Sequence, residues 1–263
     1  MEFFDSHSHY NDEQFDEDRE EIIDSTIKNG ITKFTIVGDN IESSKLALKI
    51  VKKHKDNTYA ICGIHPEYAK LDDKEIDKDI KEIEELLQND KEKNIVAVGE
   101  IGLDYYYGKE NKEAQIKTFI KQIDLANKYG MPIVIHTRDA VMDTIETLKE
   151  HPANKKGIFH CCPLNRELIK EALKLGFYIS FSGIITFKNA KENANEIVNM
   201  VPLEKTLIET DSPYLAPEPF RGKRNNSIFV KEVARKIAEF RNIEIEEVAK
   251  ITYNNALKIF NKN

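Results

Sequence analysis

The feature that most constrains this fold is an alternation of short apolar runs with longer helix-periodic segments along 263 residues. Eight runs rich in Ile, Val and Phe are each followed by a segment with apolar residues at three- and four-residue spacing. The runs are FFDSH, KFTIVG, YAICGI, NIVAVGE, MPIVIH, GIFHC, FYISFSG and TLIETDS. Eight such units predict an α/β protein with a (β/α)8 TIM barrel. A doubly wound open sheet is the alternative, because the number of strands does not show that the sheet closes.

The C-terminal segment IEIEEVAKITYNNALKIFN predicts one extra helix after the eight units. A barrel of this type needs about 250 residues, so the length suits one barrel. No linker interrupts the pattern, and residues 1–263 are therefore predicted to form a single domain. A hydrophobic content of 40% is enough to fill its core.

Charge and cysteine content restrict the partners and the compartment. The net charge is −7, so the surface as a whole does not attract nucleic acid, and a polyanionic substrate would need bound cations or a small basic patch. No apolar run reaches transmembrane length, and the acidic start MEFFDSHSHYNDEQFDED lacks a signal peptide's pattern. Three cysteines, an odd number, argue against a disulfide framework. These features predict a cytoplasmic protein without a membrane partner.

Metal-competent side chains stand at the C-terminal ends of five predicted strands, where barrel enzymes carry their active sites. They are His7, His9, Glu100, His136, His160 and Asp211. Mixed nitrogen and oxygen ligands suit divalent cations such as Zn or Mn, and leave Mg open. Six ligands exceed the need of one catalytic ion and suit two ions that share a carboxylate, for which Glu100 is the candidate.

Strand parity predicts that these side chains point into the barrel. Residues two apart share a face, so Asp5 shares one with His7, and Val98 shares one with Glu100. Val134 shares a face with His136 in the same way. The apolar partners are typical of barrel filling, and the polar residues above them are predicted to converge at one mouth. Burying them without a cation is unfavourable, since each unpaired polar group costs about 1–3 kcal/mol.

Seven motifs run nearly from end to end of the chain: DSHSH, GIHP, GEIGLDYYY, HTRDA, FHC, YISFSGIITFKNA, and ETDSPYLAP followed by RGKRNN. In this order and spacing the chain resembles the TatD family of metal-dependent hydrolases, often described as deoxyribonucleases, within the amidohydrolase-like barrels. The resemblance implies that one cation is held by His7, His9, Glu100 and Asp211. It implies that a second cation is held by Glu100, His136 and His160.

The chain departs from the family pattern at two places near the predicted substrate rim. Glu67 follows GIHP, where the family often has a second His. Residues 224–227 read RNNS, where the family commonly reads RNEP. Both departures concern the range of substrates rather than the binding of metal.

The function predicted from this site is metal-dependent hydrolysis. Two cations activate water and clamp the oxygens of a displacement, and Asp211 is either the general base or a ligand only. The leading hypothesis is a phosphodiesterase, a 3′→5′ exonuclease on single-stranded DNA or RNA that uses two Mg, Mn or Zn ions. Its hydrolase part follows from the residues, and its nuclease part from the resemblance.

Two alternatives remain open at this point. The same site could hydrolyse an ester, amide or lactone, as in the removal of a D-amino acid from tRNA. The chain could instead be a partner-binding protein that keeps its metals for folding or regulation. The full ligand set argues against this last reading, since a structural site needs no open position.

Six further side chains are candidates around the site. They are Asp5, Glu209, His65, Arg138, Arg221 and Arg224. The two carboxylates could orient a ligand imidazole or be ordinary hydrogen-bonded barrel residues. The histidine and the three arginines could contact phosphate. The alternatives are a cap for the histidine, a salt bridge for the first arginine and a solvated loop for the other two. A run of tyrosines, Tyr105–Tyr107, could stack a base.

Overall fold

One parallel sheet with strands in sequence order forms the centre of the computed structural model, which describes residues 1–106, 108 and 110–262. The strands are β1 (Phe3–Ser8), β2 (Ile31–Gly38), β3 (Thr58–Cys62), β4 (Ile95–Asp104), β5 (Ile133–Arg138), β6 (Gly157–Phe159), β7 (Tyr178–Phe181) and β8 (Thr206–Ile208). Ser8 of β1 bridges Ser212, just beyond β8, and this contact nearly closes the sheet. The predicted (β/α)8 barrel is confirmed.

A helix follows each strand, and the extra C-terminal helix predicted from the sequence is present. The helices are α1 (Arg19–Lys28), α2 (Ile41–Lys53), α3 (Asp73–Asn89), α4 (Lys112–Tyr129), α5 (Val141–Glu150), α6 (Arg166–Lys174), α7 (Lys191–Met200), α8 (Val230–Arg241) and α9 (Ile245–Ile259). In the described part of the chain, no helix has both the length and the apolarity needed to cross a bilayer.

Local chemistry sets the helix ends. The Asn40 and Ser43 side chains each accept from the other's backbone N–H and so form a capping box at the start of α2. Asp72 accepts from two backbone N–H groups at the start of α3. Gly130 ends α4 with φ 62°, a left-handed conformation that glycine adopts without steric cost.

Two apolar layers flank the strands. Residues such as Phe34, Ile135 and Phe159 pack outward under the helices. The barrel interior is filled near the strand starts by a second cluster. Its strand members are Phe4, Val37, Ile61, Val96, Ala97, Val134, Ile158, Tyr178 and Leu207. Ile259 and Phe260 pack into this cluster, so the end of α9 closes the N-terminal end of the barrel.

The predicted parity holds on β5 and fails on β1 and β4. Val134 lies in the interior cluster, two residues before His136, as predicted. On β4, Val98 packs in the outer cluster, so its predicted shared face with Glu100 is wrong. On β1, Phe4 lies inside, which places Asp5 on the opposite face. On both β1 and β4 the register shifts across the segment that contains the metal-competent residue, 5–8 on β1 and 98–101 on β4, and such an irregularity reverses the alternation beyond it.

Candidate metal centre

The structure brings all six predicted side chains together at the C-terminal mouth of the barrel. Two come from β1 and the residue that follows it, one each from β4 and β5, one from the end of β6, and one from the segment after β8. Most are buried, which fits their position inside the barrel. They are His7, His9, Glu100, His136, His160 and Asp211.

Glu100 divides these residues into two groups, one for each of its carboxylate oxygens. Its Oε2 lies 3.2 Å from Nε2 of His7 and 3.8 Å from Nε2 of His9. Its Oε1 lies 2.8 Å from Nδ1 of His136 and 2.7 Å from Nε2 of His160. A carboxylate that faces two separate pairs of imidazoles is placed as a bridging ligand would be.

Asp211 completes the first group. Its Oδ1 lies 3.4 Å from Nε2 of His9 and 3.9 Å from Nε2 of His7. Its backbone N–H donates to the carbonyl of His7 at 3.0 Å, which ties the segment after β8 to β1. Asp211 has φ 56°, a left-handed conformation that costs free energy for most residues but that Asp tolerates. The strained backbone thus aims this carboxylate at the two imidazoles of β1.

Most of the imidazoles have an oxygen beside the nitrogen that faces away from Glu100. His9 Nδ1 donates to the Val37 carbonyl at 3.1 Å. His160 Nδ1 lies 3.3 Å from Oε1 of Glu209, a fully buried carboxylate. Such partners fix the orientation of a ligating ring and raise its basicity. Nδ1 of His7 and Nδ1 of His160 are buried without a hydrogen-bond partner among the described residues, so Glu209 acts on the His160 ring through charge.

The electrostatics of the cluster keep its carboxylates ionised. Burial alone would raise the pKa of Glu100, but the neighbouring His160 and His136 hold that pKa well below its usual value. Burial likewise opposes ionisation of Asp211, and the contact with His9 together with His160 lowers its pKa to about 2. Both groups are therefore anionic at neutral pH, as ligands for a cation must be.

The donor set fits two divalent cations. In each of two groups, one ligand atom per residue lies within 4.8 Å of the others. The first group is His7, His9 and Asp211, and the second is Glu100, His136 and His160. Imidazole nitrogens and carboxylate oxygens suit Zn, Mn and related ions, and the carboxylates also suit Mg.

The centre opens into a cavity of about 690 Å³ whose walls differ in charge. The loops after β1, β2 and β3 contribute Asp12, Asp39 and Glu67. Among the described lining residues, Arg138 is the only lysine or arginine. Its guanidinium lies 3.5 Å from the ring centroid of Tyr106, which is 54% exposed. The mouth is thus mainly acidic, with one positively charged side chain at the end of β5.

His65 caps a short turn, as its alternative role predicted, and it also lies at the centre, while its contact with phosphate stays a prediction. Its Nδ1 accepts from the backbone N–H of Glu67 at 3.2 Å. Its Nε2 lies 3.6 Å from Oε1 of Glu100. Burial, together with the neighbouring His136, lowers the pKa of His65 to about 3. The ring is therefore neutral and carries its proton on Nε2, the nitrogen that faces the metal centre.

The two predicted carboxylates beside the site have different surroundings. Glu209 lies beside the His160 ring, and its role in orienting that ring stays a prediction. Asp5 contacts no imidazole among the described residues. It accepts instead from the backbone N–H of Thr210 at 2.9 Å, from the hydroxyl of Thr210 and from the backbone N–H of His7. These contacts match the alternative role of Asp5 as a hydrogen-bonded barrel carboxylate, and no contact among the described residues supports its orienting an imidazole.

Two of the predicted phosphate contacts lie away from the cavity. Arg224 makes a two-point contact with the Asp18 carboxylate and covers the ring of Phe15. Arg221 lies over the ring of Phe187, 3.9 Å from its centroid. Neither arginine lines the cavity, so no contact in the structure supports the predicted substrate role of either one, which stays a prediction. The loop that carries both arginines packs against the barrel through these carboxylate and ring contacts.

The tyrosine run divides in a similar way. Tyr105 is buried and donates its hydroxyl to Asp143 at 2.8 Å, so it is not available to stack a base. Tyr106 is exposed beside Arg138 and stays a candidate. Tyr107 lies outside the described residues.

Sequence reasoning missed one residue of the site, Asp104. Its Oδ2 lies 2.9 Å from Nε2 of His136, opposite the nitrogen that faces Glu100. It ends β4, four residues after Glu100, so strand parity places both carboxylates on the same face. That spacing in the GEIGLD motif was the available indication.

Known metal-dependent hydrolases match this sequence along nearly the whole chain. The sequence model of the family described as TatD related DNase matches residues 4–261. The metal-dependent hydrolase YabD of Bacillus subtilis is 42% identical over 261 residues, which cover 99% of each protein. The metal-dependent hydrolase YcfH of Escherichia coli is 36% identical, over 97% of this chain and 94% of its own length.

The fold also matches a solved structure. The crystal structure of YjjV, a TatD homologue from Escherichia coli, superimposes with a TM-score of 0.90 at 26% identity. The match covers 98% of both chains, so the barrel and its loops correspond along almost their full length.

Proposed function

Since this chain belongs to the TatD-related family of metal-dependent hydrolases, we propose that it removes nucleotides from the 3′ end of single-stranded DNA and RNA by hydrolysing phosphodiester bonds. The observation that carries the two-cation part is the placement of Glu100, whose two oxygens face two separate pairs of imidazoles. The description of the family supports the choice of a nucleic acid.

In this proposal each of the two groups of ligands would hold one cation. His7, His9 and Asp211 would hold the first, His136 and His160 would hold the second, and Glu100 would contribute to both. Bound divalent cations, whether Mg, Mn or Zn, supply Lewis acidity and lower the pKa of the attacking water. The acidic mouth makes such positive charge necessary for a polyanionic substrate.

Three side chains act on the substrate in ways that their contacts support. Asp211 is ionised at neutral pH, lies at the edge of the cavity and accepts the proton of the attacking water. His65 is neutral and directs Nε2–H toward the centre, where it donates to a phosphoryl oxygen. Arg138 lines the cavity and contacts a phosphate of the bound strand. The free cysteines fit a cytoplasmic enzyme, which we include in the proposal.

The acidic wall favours a second candidate function. Carboxylates of Asp12, Asp39 and Glu67 would attract the α-ammonium group of an aminoacyl ester better than the phosphates of a nucleic acid. The same centre would then hydrolyse a carboxylic ester, as in the removal of a D-amino acid from tRNA.

The test uses protein that has been stripped of metal by a chelator and reloaded with Mg²⁺, Mn²⁺ or Zn²⁺. With a single-stranded DNA labelled at its 5′ end, we expect a ladder that shortens from the 3′ end only when cation is present. His160→Ala should abolish the ladder. The matched control His151→Ala, which changes a residue at the end of α5 away from the cavity, should retain it.

The outcomes separate the two candidates. Cation binding without cleavage of DNA or RNA would contradict the nuclease proposal. Release of a D-amino acid from aminoacyl-tRNA by the same loaded protein would then support the second candidate. If the loaded protein cleaves neither nucleic acid nor aminoacyl-tRNA, both candidate activities are contradicted. That result would favour a partner-binding protein that uses its metals for another purpose.

A further inference from the structure

Asp104 and Glu100, two carboxylates of strand β4, hold the His136 imidazole between them. Nδ1 of His136 lies 2.8 Å from Oε1 of Glu100, and its Nε2 lies 2.9 Å from Oδ2 of Asp104. The ring therefore has an acceptor at each nitrogen, and its orientation is fixed from both sides. His136 turns Nδ1 toward the bridging carboxylate, whereas His7, His9 and His160 direct Nε2 toward it.

The carboxylate of Asp104 is itself held by groups outside the metal centre. Its Oδ1 accepts from the backbone N–H of Tyr106 at 2.9 Å. Its backbone N–H donates to Oε1 of Gln115 at 2.8 Å, and Nε2 of Gln115 donates back to the Asp104 carbonyl at 2.8 Å. Gln115 is buried on α4. The position of Asp104 is thus set by the helix and the loop, and is not a consequence of where His136 lies.

Both ring nitrogens of His136 face ionised carboxylates, which only accept hydrogen bonds. A cation at Nδ1 would take the place of a proton there, and Asp104 would keep the remaining proton on Nε2. The Asp104 contact therefore favours, in the cation-loaded protein, the tautomer whose lone pair lies on Nδ1, the atom that a cation would need.

We propose that Asp104 is a positioning residue that fixes the tautomer and rotation of His136 and thereby sets the affinity of the second cation site. It does so without binding the cation. The inference rests on the proposed function only in requiring that cations bind at this centre. It does not depend on which bond is hydrolysed.

The contact with the Tyr106 backbone N–H allows a specific test, because it fixes the orientation of an amide placed at position 104. In Asp104→Asn, the side-chain oxygen stays at the Tyr106 N–H, so the NH₂ group faces Nε2 of His136. That NH₂ donates to Nε2 and moves the ring proton to Nδ1, where it blocks the cation. Asp104→Ala removes the partner without imposing the wrong tautomer. The expected order of affinity is wild type, then Ala, then Asn.

The experiment measures Zn²⁺ binding by calorimetry and metal content, without any substrate. Wild-type protein should bind two ions. The second ion should bind about 10- to 100-fold more weakly in Asp104→Asn, the first should be unchanged, and Asp104→Ala should lie between. The ring-nitrogen chemical shifts of His136 in the Zn²⁺-loaded protein should report the Nε2–H tautomer in wild type. Asp77→Asn, the same change in an exposed ion pair of α3, is the control.

Three results would overturn the inference. The first is unchanged affinity for both ions in Asp104→Asn. The second is a loss in Asp104→Ala as large as in Asp104→Asn, because Asp104 would then act as a ligand together with His65 and His136, whose atoms also lie within 4.8 Å of one another. The third is a wild-type His136 that carries its proton on Nδ1. If wild-type protein does not bind two ions, the two-cation proposal itself fails.

Discussion

The two ends of the barrel interior are built from the same strands and have opposite chemistry. At the N-terminal end, Phe4 packs against the C-terminal residues Ile259 and Phe260. At the other end, His7 of the same strand faces Glu100. The comparison teaches that the strands that supply the site carry packing at their start and chemistry at their finish, as is general for this fold.

The two ends also differ in what holds them. Apolar burial stabilises the N-terminal end by about 25 cal/mol for each Å² removed from water. At the mouth, imidazoles and carboxylates have lost their hydration and are compensated mainly by one another. Changes at the mouth should therefore affect cation binding and activity, and changes at the N-terminal end should affect folding.

The largest effect is expected at the bridging carboxylate. Glu100→Gln keeps the volume of the side chain but removes the charge shared by both groups of ligands. We expect both cations to bind weakly and the hydrolysis rate to fall on the order of 10³-fold. Metal content and the cation-dependent rate check this, with Glu146→Gln on the exposed face of α5 as the control. Two tightly bound ions in Glu100→Gln would show that it is not the bridge.

The opposite end should give the opposite result. Phe4 is 1% exposed and packs against the rings of Tyr59, Tyr253 and Phe260. Phe4→Ala should lower the free energy of unfolding by about 3–5 kcal/mol, with cation affinity retained in the folded protein. Urea denaturation in the presence of a chelator measures this loss. Weak cation binding by Phe4→Ala protein that is still folded would contradict this difference between the two ends.

A smaller effect is expected from the charge of the mouth. With Arg138 as the only described lysine or arginine that lines the cavity, the Michaelis constant for single-stranded DNA should depend weakly on salt. One phosphate contact gives a logarithmic slope of about 0.7 in magnitude, and Arg138→Ala should bring it close to zero. Arg235→Ala on α8, which changes an exposed pair with Glu232, should leave the slope unchanged. A slope several times steeper would mean that a basic surface elsewhere binds the strand.

The smallest effect is expected outside both ends, in an exposed ion pair. Contacts with Lys149 and Lys174 lower the pKa of Glu171 from its usual 4.5 to about 2. A depressed folded-state pKa stabilises the protein above 4.5, and this contribution is lost as the pH falls toward 2. Glu171→Gln should therefore lower the urea midpoint slightly at neutral pH, and the difference should vanish in acid. A difference that grows in acid would contradict this sign.

Most of the fold was predictable because its determinants are local. Apolar runs followed by amphipathic segments identified the strands β1 to β8, and the periodicity of the last segment identified α9. The side chains that converge at the mouth could be predicted because barrel strands all end at the same face. Hydrophobic period and strand order are properties of neighbouring residues, so they can be recognised without the tertiary structure.

Other features depended on contacts between distant segments. Asp5 and Val98 were assigned to the wrong face because register shifts arise from pairing with a neighbouring strand. Arg224 was assigned to the substrate, whereas it pairs with Asp18, more than two hundred residues earlier in the chain. No local pattern indicates such a partner.

The sequence by itself determined the barrel, its extra helix and the residue types gathered at its mouth, since periodicity and strand ends specify them. Only the tertiary structure decided which oxygen of Glu100 faces which imidazoles, and that Asp104 holds the far side of His136. The physical reason is the distance along the chain between the residues that specify each feature. Burial patterns repeat along the chain, whereas hydrogen bonds require two atoms within about 3 Å, and only the folded chain brings those atoms together.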